Sequence, residues 1–153
     1  MPEAKIIITD ASCFIILQKL NAIHLLQNLF TSVITTPQIA TEFGYPLPVW
    51  VKIMTVTNEV TFESLKLHLD VGEASAIALA NEINHDYLIL DDLKARYFAE
   101  QKGLKVKGTL GVLLTAKIKG IIPFLLPYLD ALQQTNFRIS KNLVQQILND
   151  AGE

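Results

Sequence analysis

The sequence predicts an α/β fold, a three-layer α/β/α sandwich around a mostly parallel central sheet of four to five strands. The first observation is that short apolar runs alternate with helical segments along the chain. The second is that the earliest run, Lys5–Thr9, is rich in β-branched residues, as buried parallel strands are. The third is that two such runs end in carboxylates, Asp10 near the start of the chain and the doublet Asp91-Asp92 further on. In open α/β sheets ligands bind at these strand ends.

Length and composition favour one domain, 1–153. The chain has 153 residues, half of them apolar, which is enough for a single substantial core. Its net charge of -2 does not indicate a nucleic-acid binder, but seven cations and one acid lie between Lys94 and Lys119. Cys13 is the only cysteine, so no intrachain disulfide can form. No apolar run approaches the roughly 20 residues that span a bilayer, and we expect a cytoplasmic protein.

The first half of the chain predicts three strands and four helices. After the opening strand, Ser12 is expected to cap a helix that runs through Leu20. Apolar residues on one side of Ala22–Phe30 predict a second helix. Next come a short strand (Ser32–Thr35) and a helix between a proline and a glycine (Pro37–Phe43). An alternating strand (Trp50–Val56) and another helix (Asn58–His68) follow.

The second half predicts two further strands and five helices. An alanine-rich helix is expected over Ala74–Asn84, introduced by Asp70–Glu73 and followed by a fourth strand, Tyr87–Leu90. Thr109 is expected to cap one of the later helices. The remaining elements are Leu93–Lys102, the strand Lys105–Lys107, Leu110–Lys119, Pro123–Gln134 and Lys141–Asn149. The terminal helix, 140–150 with its capping serine, is a candidate for packing at an interface.

Acidic residues are expected to gather at one edge of the sheet. Right-handed crossovers bring the strand ends together, and with them Asp10 and the Asp91-Asp92 doublet. Glu42 at the end of a helix and Glu73 at the start of another can reach the same edge. Gathered carboxylates repel unless a cation lies between them, and their hard oxygens suit Mg²⁺ or Mn²⁺. The alternatives are structural: Asp10 or one acid of the doublet caps a helix, Glu42 is solvated, and Glu73 interacts with the helix dipole.

Five runs of the chain carry a family resemblance. They are Ile7–Ser12, Thr36–Glu42, Asp70–Ala80, Leu90–Arg96 and Val106–Leu113. Together, in order over residues 6 to about 122, they resemble the PIN-domain nucleases, and more closely the VapC-like branch of that family. Each run alone is a weak signal, but the ordered set is specific, and the terminal helix also fits this branch.

The resemblance implies a PIN-like sandwich with a four-acid site that binds Mg²⁺ or Mn²⁺ and hydrolyses RNA phosphodiester bonds. Asp10, Glu42 and Glu73 correspond to the first three acids, and Asp92 or Asp91 to the fourth. Ser12 corresponds to the supporting hydroxyl residue that orients the first acid. The resemblance further implies the toxin of a type II toxin–antitoxin pair, a small antitoxin protein as partner, and a homodimer.

The neighbouring cations are candidates for RNA binding. Lys94, Arg96 and Lys107 follow the acidic doublet and could hold RNA phosphates beside the site. The chain departs from the family pattern at Glu73, where many PIN nucleases have Asp, and at Leu90, where many have Thr or Ser. The alternative function is therefore a degenerate PIN-like module that binds RNA or a protein partner without cleavage.

Overall fold

A five-stranded parallel sheet lies at the centre of the protein in the computed structural model, which describes residues 3–153, with side chains from Lys5 onward. The strands are β1 (Glu3–Thr9), β2 (Phe30–Thr35), β3 (Val51–Ile53), β4 (Tyr87–Ile89) and β5 (Val106–Lys107). Their order across the sheet is β3-β2-β1-β4-β5, and every neighbouring pair is parallel. The predicted α/β fold is confirmed.

Helices flank the sheet and connect its strands. Over residues 3–153 they are α1 (Ala11–Lys19), α2 (His24–Leu29), α3 (Pro37–Phe43), α4 (Glu59–Lys66), α5 (Val71–Glu82), α6 (Leu93–Gln101), α7 (Thr109–Ile118), α8 (Leu126–Gln133) and α9 (Lys141–Asp150). Helices α1, α3, α4 and α5 are connected to one another by contacts, and α2 packs on α7. Within the described part of the chain, no helix is both long and apolar enough to cross a membrane.

Strand β1 lies at the topological switch point of the sheet, where the order in which strands are added reverses. Its residue Ile7 pairs with Val33 of β2 on one side and with Tyr87 of β4 on the other. The chain builds β2 and β3 on the first side, then returns to add β4 and β5 on the second. The ends of β1 and β4 therefore border the crevice in which parallel α/β sheets bind ligands.

The core explains why these segments form strands. Ile7, Ile8, Leu88 and Ile89 are fully buried, as expected for parallel strands covered on both faces. Helix α5 is rich in small buried residues, so its backbone can approach α3 closely. A buried hydrogen bond of 2.7 Å between the hydroxyls of Thr36 and Ser75 joins the two helices.

Two predicted helix caps are wrong. Ser12 does not cap α1, because the carboxylate of Asp10 accepts the free backbone N–H of Cys13 and the helix begins at Ala11. Thr109 does not cap α7, because it is itself the first helical residue and Gly108 occupies the cap position. In both cases an aspartate accepts one free N–H at the helix start, Asp10 that of Cys13 and Asp91 that of Thr109. The predicted cap of α9 by Ser140 is confirmed.

Several element ends differ from the prediction. Phe30 belongs to β2 and not to the second helix, and β3 has only three residues. Helix α5 starts at Val71, three residues early, which puts Glu73 in its first turn. Helix α8 starts at Leu126 and not at Pro123, because Pro127 takes the proline position of its first turn.

The terminal helix α9 packs on the rest of the chain through one side. Ile147 is its buried residue, 7 % exposed, and it belongs to the hydrophobic core. The expectation that this helix also packs at an interface stays a prediction.

Candidate active site

Asp10 links the end of β1 to the start of α1 and is almost completely buried, with 3 % of its surface exposed. Its Oδ1 accepts the N–H of Cys13 at 2.9 Å, which caps the helix. Its Oδ2 accepts the N–H of Asp91 at 3.4 Å, just after the end of β4. One carboxylate therefore caps a helix and also faces the crevice between the two strands.

The environment of Asp10 disfavours its charge. Burial, and next the negative charge of Asp91, raise the pKa of Asp10 to about 8 from its ordinary value of 3.8. The negative charge of Glu73 raises this pKa further, while the N–H groups of Cys13 and Asp91 lower it. A cation beside Asp10 would reverse this balance.

The two acids of the doublet have different partners. Asp92 is the N-cap of α6, and its Oδ2 accepts the N–H of Ala95 at 2.9 Å. Asp91 faces α7 instead, where the N–H of Thr109 donates to Oδ1 at 2.8 Å and its hydroxyl donates to Oδ2 at 2.6 Å. The expectation that one of the two acids caps the following helix is confirmed for Asp92. Asp91 is held beside Asp10 by a helix that begins 18 residues later.

Glu73 connects the doublet to the other acids. It is half-buried in the first turn of α5. Burial, then the charges of Asp92, Asp70 and Glu42, raise the pKa of Glu73 to about 7 from its ordinary 4.5. The charge of Glu73 in turn raises the pKa of Asp10. The predicted acids thus lie close enough to influence one another across the edge of the sheet.

Glu42 reaches this group from the last turn of α3. Its Oε1 would lie 2.8 Å from a β-carbon built on Gly72, so the glutamate carboxylate occupies space that only a glycine leaves open. Burial and the charge of Asp70 raise the pKa of Glu42. The Thr36–Ser75 hydrogen bond holds α3 against α5 and thereby fixes the approach of Glu42.

Two residues at the site were not predicted from the sequence to act there. Asp70 is at the N-cap position of α5 but makes no side-chain cap bond there, and its charge raises the pKa of Glu42 and Glu73. Its position three residues before Glu73 was the available signal, because that spacing puts both acids at one helix start. Thr109 was expected to cap a helix, and no local pattern indicated that it would hold Asp91.

The acids are the type of ligand that a hard divalent cation prefers, but their side chains do not form a complete coordination site. Carboxylate oxygens are the ligands that Mg²⁺ and Mn²⁺ prefer. Burial first, and then the neighbouring carboxylates, raise the pKa values of Asp10 and Glu73, and such an ion would favour the charged form of both groups. Among the described residues, however, no three or more His, Cys, Asp or Glu side chains are grouped so that they could hold an ion directly. The long side chains of Glu42 and Glu73 would have to move to complete a coordination shell.

The predicted supporting and basic residues have different surroundings. Ser12 is half-buried in the first turn of α1, and Lys94 is exposed in the first turn of α6. Nη1 of Arg96 and Oδ1 of Asp91 would both touch a β-carbon on Gly108, at 3.3 and 3.1 Å. The ammonium of Lys107 is directed elsewhere, 4.5 Å from the centroid of the Tyr87 ring and 3.3 Å from the hydroxyl of Thr115.

Comparison with known families agrees with this geometry. The family model described as DUF3368, PIN domain, matches residues 6–153. The curated proteins give no match to the chain. PIN domains are generally nucleases and typically use divalent metals, whereas the VapC-like branch stays a prediction. Since the matched region covers nearly the whole sequence and includes all the acids described above, the chain belongs to the PIN-domain family.

Proposed function

We propose that the protein is a metal-dependent ribonuclease that hydrolyses RNA phosphodiester bonds with Mg²⁺ or Mn²⁺. The observation that carries this proposal is Asp10. Asp10 is buried at the end of β1, where the strand order of the parallel sheet reverses. The charges of Asp91 and Glu73 are close enough to raise its pKa. A carboxyl group in these surroundings stabilises a fold poorly, but it is suited to bind a divalent cation, which favours its charged form.

The roles of the acids follow from their positions. Asp10, Glu42, Glu73 and one or both acids of the doublet would hold the cation. When bound, the ion supplies a nucleophilic water at neutral pH and neutralises charge on the leaving oxygen. Thr109 keeps the carboxylate of Asp91 in one orientation through two hydrogen bonds. Arg96, half-buried beside Asp91, is suited to hold a phosphate of the substrate strand.

The biological setting we propose is a cytoplasmic toxin–antitoxin pair in which this chain is the toxin and forms a homodimer. Support comes from the VapC-like motifs of the sequence. The exposed side chains of Leu93 and Tyr97 on α6, 79 % and 60 % accessible, add apolar surface beside the acids that a small antitoxin could cover.

Cleavage of a labelled RNA with Mn²⁺ tests the proposed activity. We expect the wild-type protein to cleave and Asp10→Asn to be inactive, while Glu100→Gln, exposed on α6, cleaves like the wild type. Parallel assays of Asp91→Asn and Asp92→Asn identify the fourth ligand as the acid whose loss abolishes cleavage. Equal cleavage by the wild type and Asp10→Asn would refute the assigned site.

The second candidate is a PIN-like module that binds RNA or a protein partner without cleavage. It is favoured by the arrangement of the acids, because the described residues contain no ready-made cage for an ion. Isothermal titration with Mn²⁺ separates the two functions. Binding that is lost in Asp10→Asn supports the nuclease, whereas a wild-type protein that neither binds Mn²⁺ nor cleaves RNA supports the module.

A further inference from the structure

A cavity of about 540 Å³ opens directly beside the acidic site. It lies between the start of α6, the β5–α7 connection and the segment that leads into α9. Asp91 is one of its lining residues, so the cavity borders the group of acids. Its apolar lining comes from Leu93, Val106, Leu110, Phe137, Leu143 and Ile147. Its size is in the range of roughly 300–1,000 Å³ that small-molecule and cofactor sites have.

Both arginines of the chain line this cavity. The sequence has two arginines among 13 basic residues, Arg96 and Arg138, and they come from segments more than 40 positions apart. In the described part of the chain, neither guanidinium forms a hydrogen bond or an ion pair with another residue. Two unpaired guanidinium groups around one cavity are suited to bind an anion, because each offers a planar pair of donors to phosphate.

Gly108 lines the cavity and also lies next to Asp91 of the acidic site. A β-carbon there would lie 3.1 Å from Oδ1 of Asp91 and 3.3 Å from Nη1 of Arg96, so the carboxylate and the guanidinium flank the same backbone unit. A phosphate held by Arg96 is therefore next to the acids. Arg138 is exposed on the segment before α9, from which it lines the same cavity.

The apolar lining fits a nucleobase. Phe137 is half-buried and packs partly against the core, so its ring is held in place. Leu93, 79 % exposed at the start of α6, contributes apolar surface to the same cavity. Proteins recognise single-stranded RNA by stacking unpaired bases on aromatic rings and arginine planes. An aromatic ring with two arginines offers this combination.

We propose that this cavity binds one nucleotide of single-stranded RNA next to the cleaved bond, with Arg96 and Arg138 on its phosphates and its base against Phe137. The identity of the ligand as substrate rests on the proposed ribonuclease function. A protein segment is the other occupant to consider, but the two arginines face a single acid, Asp91, and this positive excess favours a polyanion.

Binding of a fluorescein-labelled single-stranded RNA of mixed sequence, measured by anisotropy in EDTA at several salt concentrations, tests the proposal without cleavage. Arg96→Gln and Arg138→Gln should each weaken binding and reduce the slope of log affinity against log salt by about 0.7, the value for one phosphate contact on a single strand. Phe137→Leu should weaken binding about five-fold or more and leave the slope unchanged, because stacking carries no counterion term.

Two variants outside the cavity serve as controls. Lys52→Gln removes an exposed cation on β3, and Phe124→Leu removes an exposed aromatic ring, 61 % accessible. Both should bind RNA like the wild type. Because Arg138 is exposed, its replacement leaves the core intact, and equal melting temperatures check this for all variants.

Two outcomes overturn the proposal: a wild type that binds no RNA in EDTA, or Arg138→Gln and Phe137→Leu variants with wild-type affinity and slope. Failure of the proposed function looks different. If the cavity variants weaken RNA binding but the wild type never cleaves with Mn²⁺, the nucleotide site stands and the ribonuclease activity falls. If the wild type cleaves with Mn²⁺ while the cavity variants bind RNA normally, the ribonuclease activity stands and the nucleotide site falls.

Discussion

Thr109 fixes both oxygens of Asp91. Its N–H donates to Oδ1 at 2.8 Å and its hydroxyl donates to Oδ2 at 2.6 Å. Thr109 is fully buried as the first residue of α7, whereas Asp91 follows β4 and lies beside Asp10. The position of Asp91 in the candidate site is therefore set by the start of α7, the helix that follows the neighbouring strand β5. Asp91 thereby lies at the N-terminal end of that helix.

Removal of the Thr109 hydroxyl is expected to weaken metal binding. Thr109→Val keeps the shape of the side chain but leaves Oδ2 of Asp91 without its donor. We expect affinity for Mn²⁺ to fall about 10- to 100-fold, as is typical when an outer-shell partner of a metal ligand is lost. The free energy of unfolding should fall by about 1.5–3 kcal/mol, the contribution of a hydrogen bond to a charged group. Titration calorimetry and denaturant unfolding measure the two effects.

Two variants control this experiment. Thr109→Ser retains the hydroxyl and should bind Mn²⁺ nearly as well as the wild type. Thr115→Val removes a hydroxyl from the same helix, but that group donates to the carbonyl of Gly111 and not to an acid. If Thr109→Val and Thr115→Val bind Mn²⁺ equally well, Thr109 has no part in positioning the site.

The metal-free protein is expected to lose stability as the pH rises. The pKa of Asp10 is about 8 in the folded chain and about 3.8 when unfolded, so between these values the folded state binds more protons. Stability then falls from about pH 4 to pH 8 and levels off above, where the full cost of the buried charge is present. Glu73 acts in the same direction, with a pKa raised from 4.5 to about 7. Melting temperatures in EDTA between pH 5 and 9 measure this trend.

Charge removal should flatten that pH dependence. Asp10→Asn is expected to have a smaller decrease in melting temperature between pH 5 and 9 than the wild type, and Asp10→Asn with Glu73→Gln a smaller one still. Glu100→Gln, an exposed acid on α6, should keep the wild-type slope. Addition of Mn²⁺ should stabilise the wild type more at pH 8 than at pH 5, because the cation binds the ionised carboxylates. Parallel curves for Asp10→Asn and the wild type would contradict the assignment to Asp10.

Glycine at position 72 is expected to matter for Glu42 and not for folding. An alanine β-carbon there would lie 2.8 Å from Oε1 of Glu42 but at an ordinary 3.6 Å from Cγ1 of Ile39. The flexible glutamate therefore moves, and Gly72→Ala should be as stable as the wild type or up to about 1 kcal/mol more stable, because alanine favours the helix. Its Mn²⁺ affinity should fall as the Glu42 carboxylate is displaced.

Gly111→Ala is the matched control for this variant. Its β-carbon would lie 2.8 Å from Cγ of Lys107, so the lysine side chain has to change its rotamer close to its own backbone, but none of the acids is displaced. We expect its Mn²⁺ affinity to equal that of the wild type. A Gly72→Ala variant that binds Mn²⁺ as tightly as Gly111→Ala would exclude Glu42 from the site.

Local patterns were sufficient to predict the order of the strands along the chain and the approach of Asp91 to Asp10. The β-branched run before Asp10 and the apolar run before Asp91 indicate buried strands, and chain direction alone then brings both ends to one edge. The orientation of Asp91 could not be predicted in this way. It depends on Thr109, whose position relative to β4 is set by the packing of β5 and α7. The contribution of Asp70 was missed because an acid before a helix usually caps it, and this one does not.

The two roles of Asp92 can be separated with two substitutions. Its carboxylate caps α6 by accepting the N–H of Ala95 at 2.9 Å, and its charge raises the pKa of Glu73. Asp92→Asn removes the charge but keeps a capping oxygen, whereas Asp92→Ala removes both. We therefore expect Asp92→Ala to be less stable than Asp92→Asn by about 1 kcal/mol. The pKa of Glu73, followed by NMR titration of its carboxyl carbon, should fall in both variants and stay unchanged in Glu100→Gln. Equal stability of the two variants would contradict the capping role, and an unchanged Glu73 pKa would show that the charge of Asp92 does not reach Glu73.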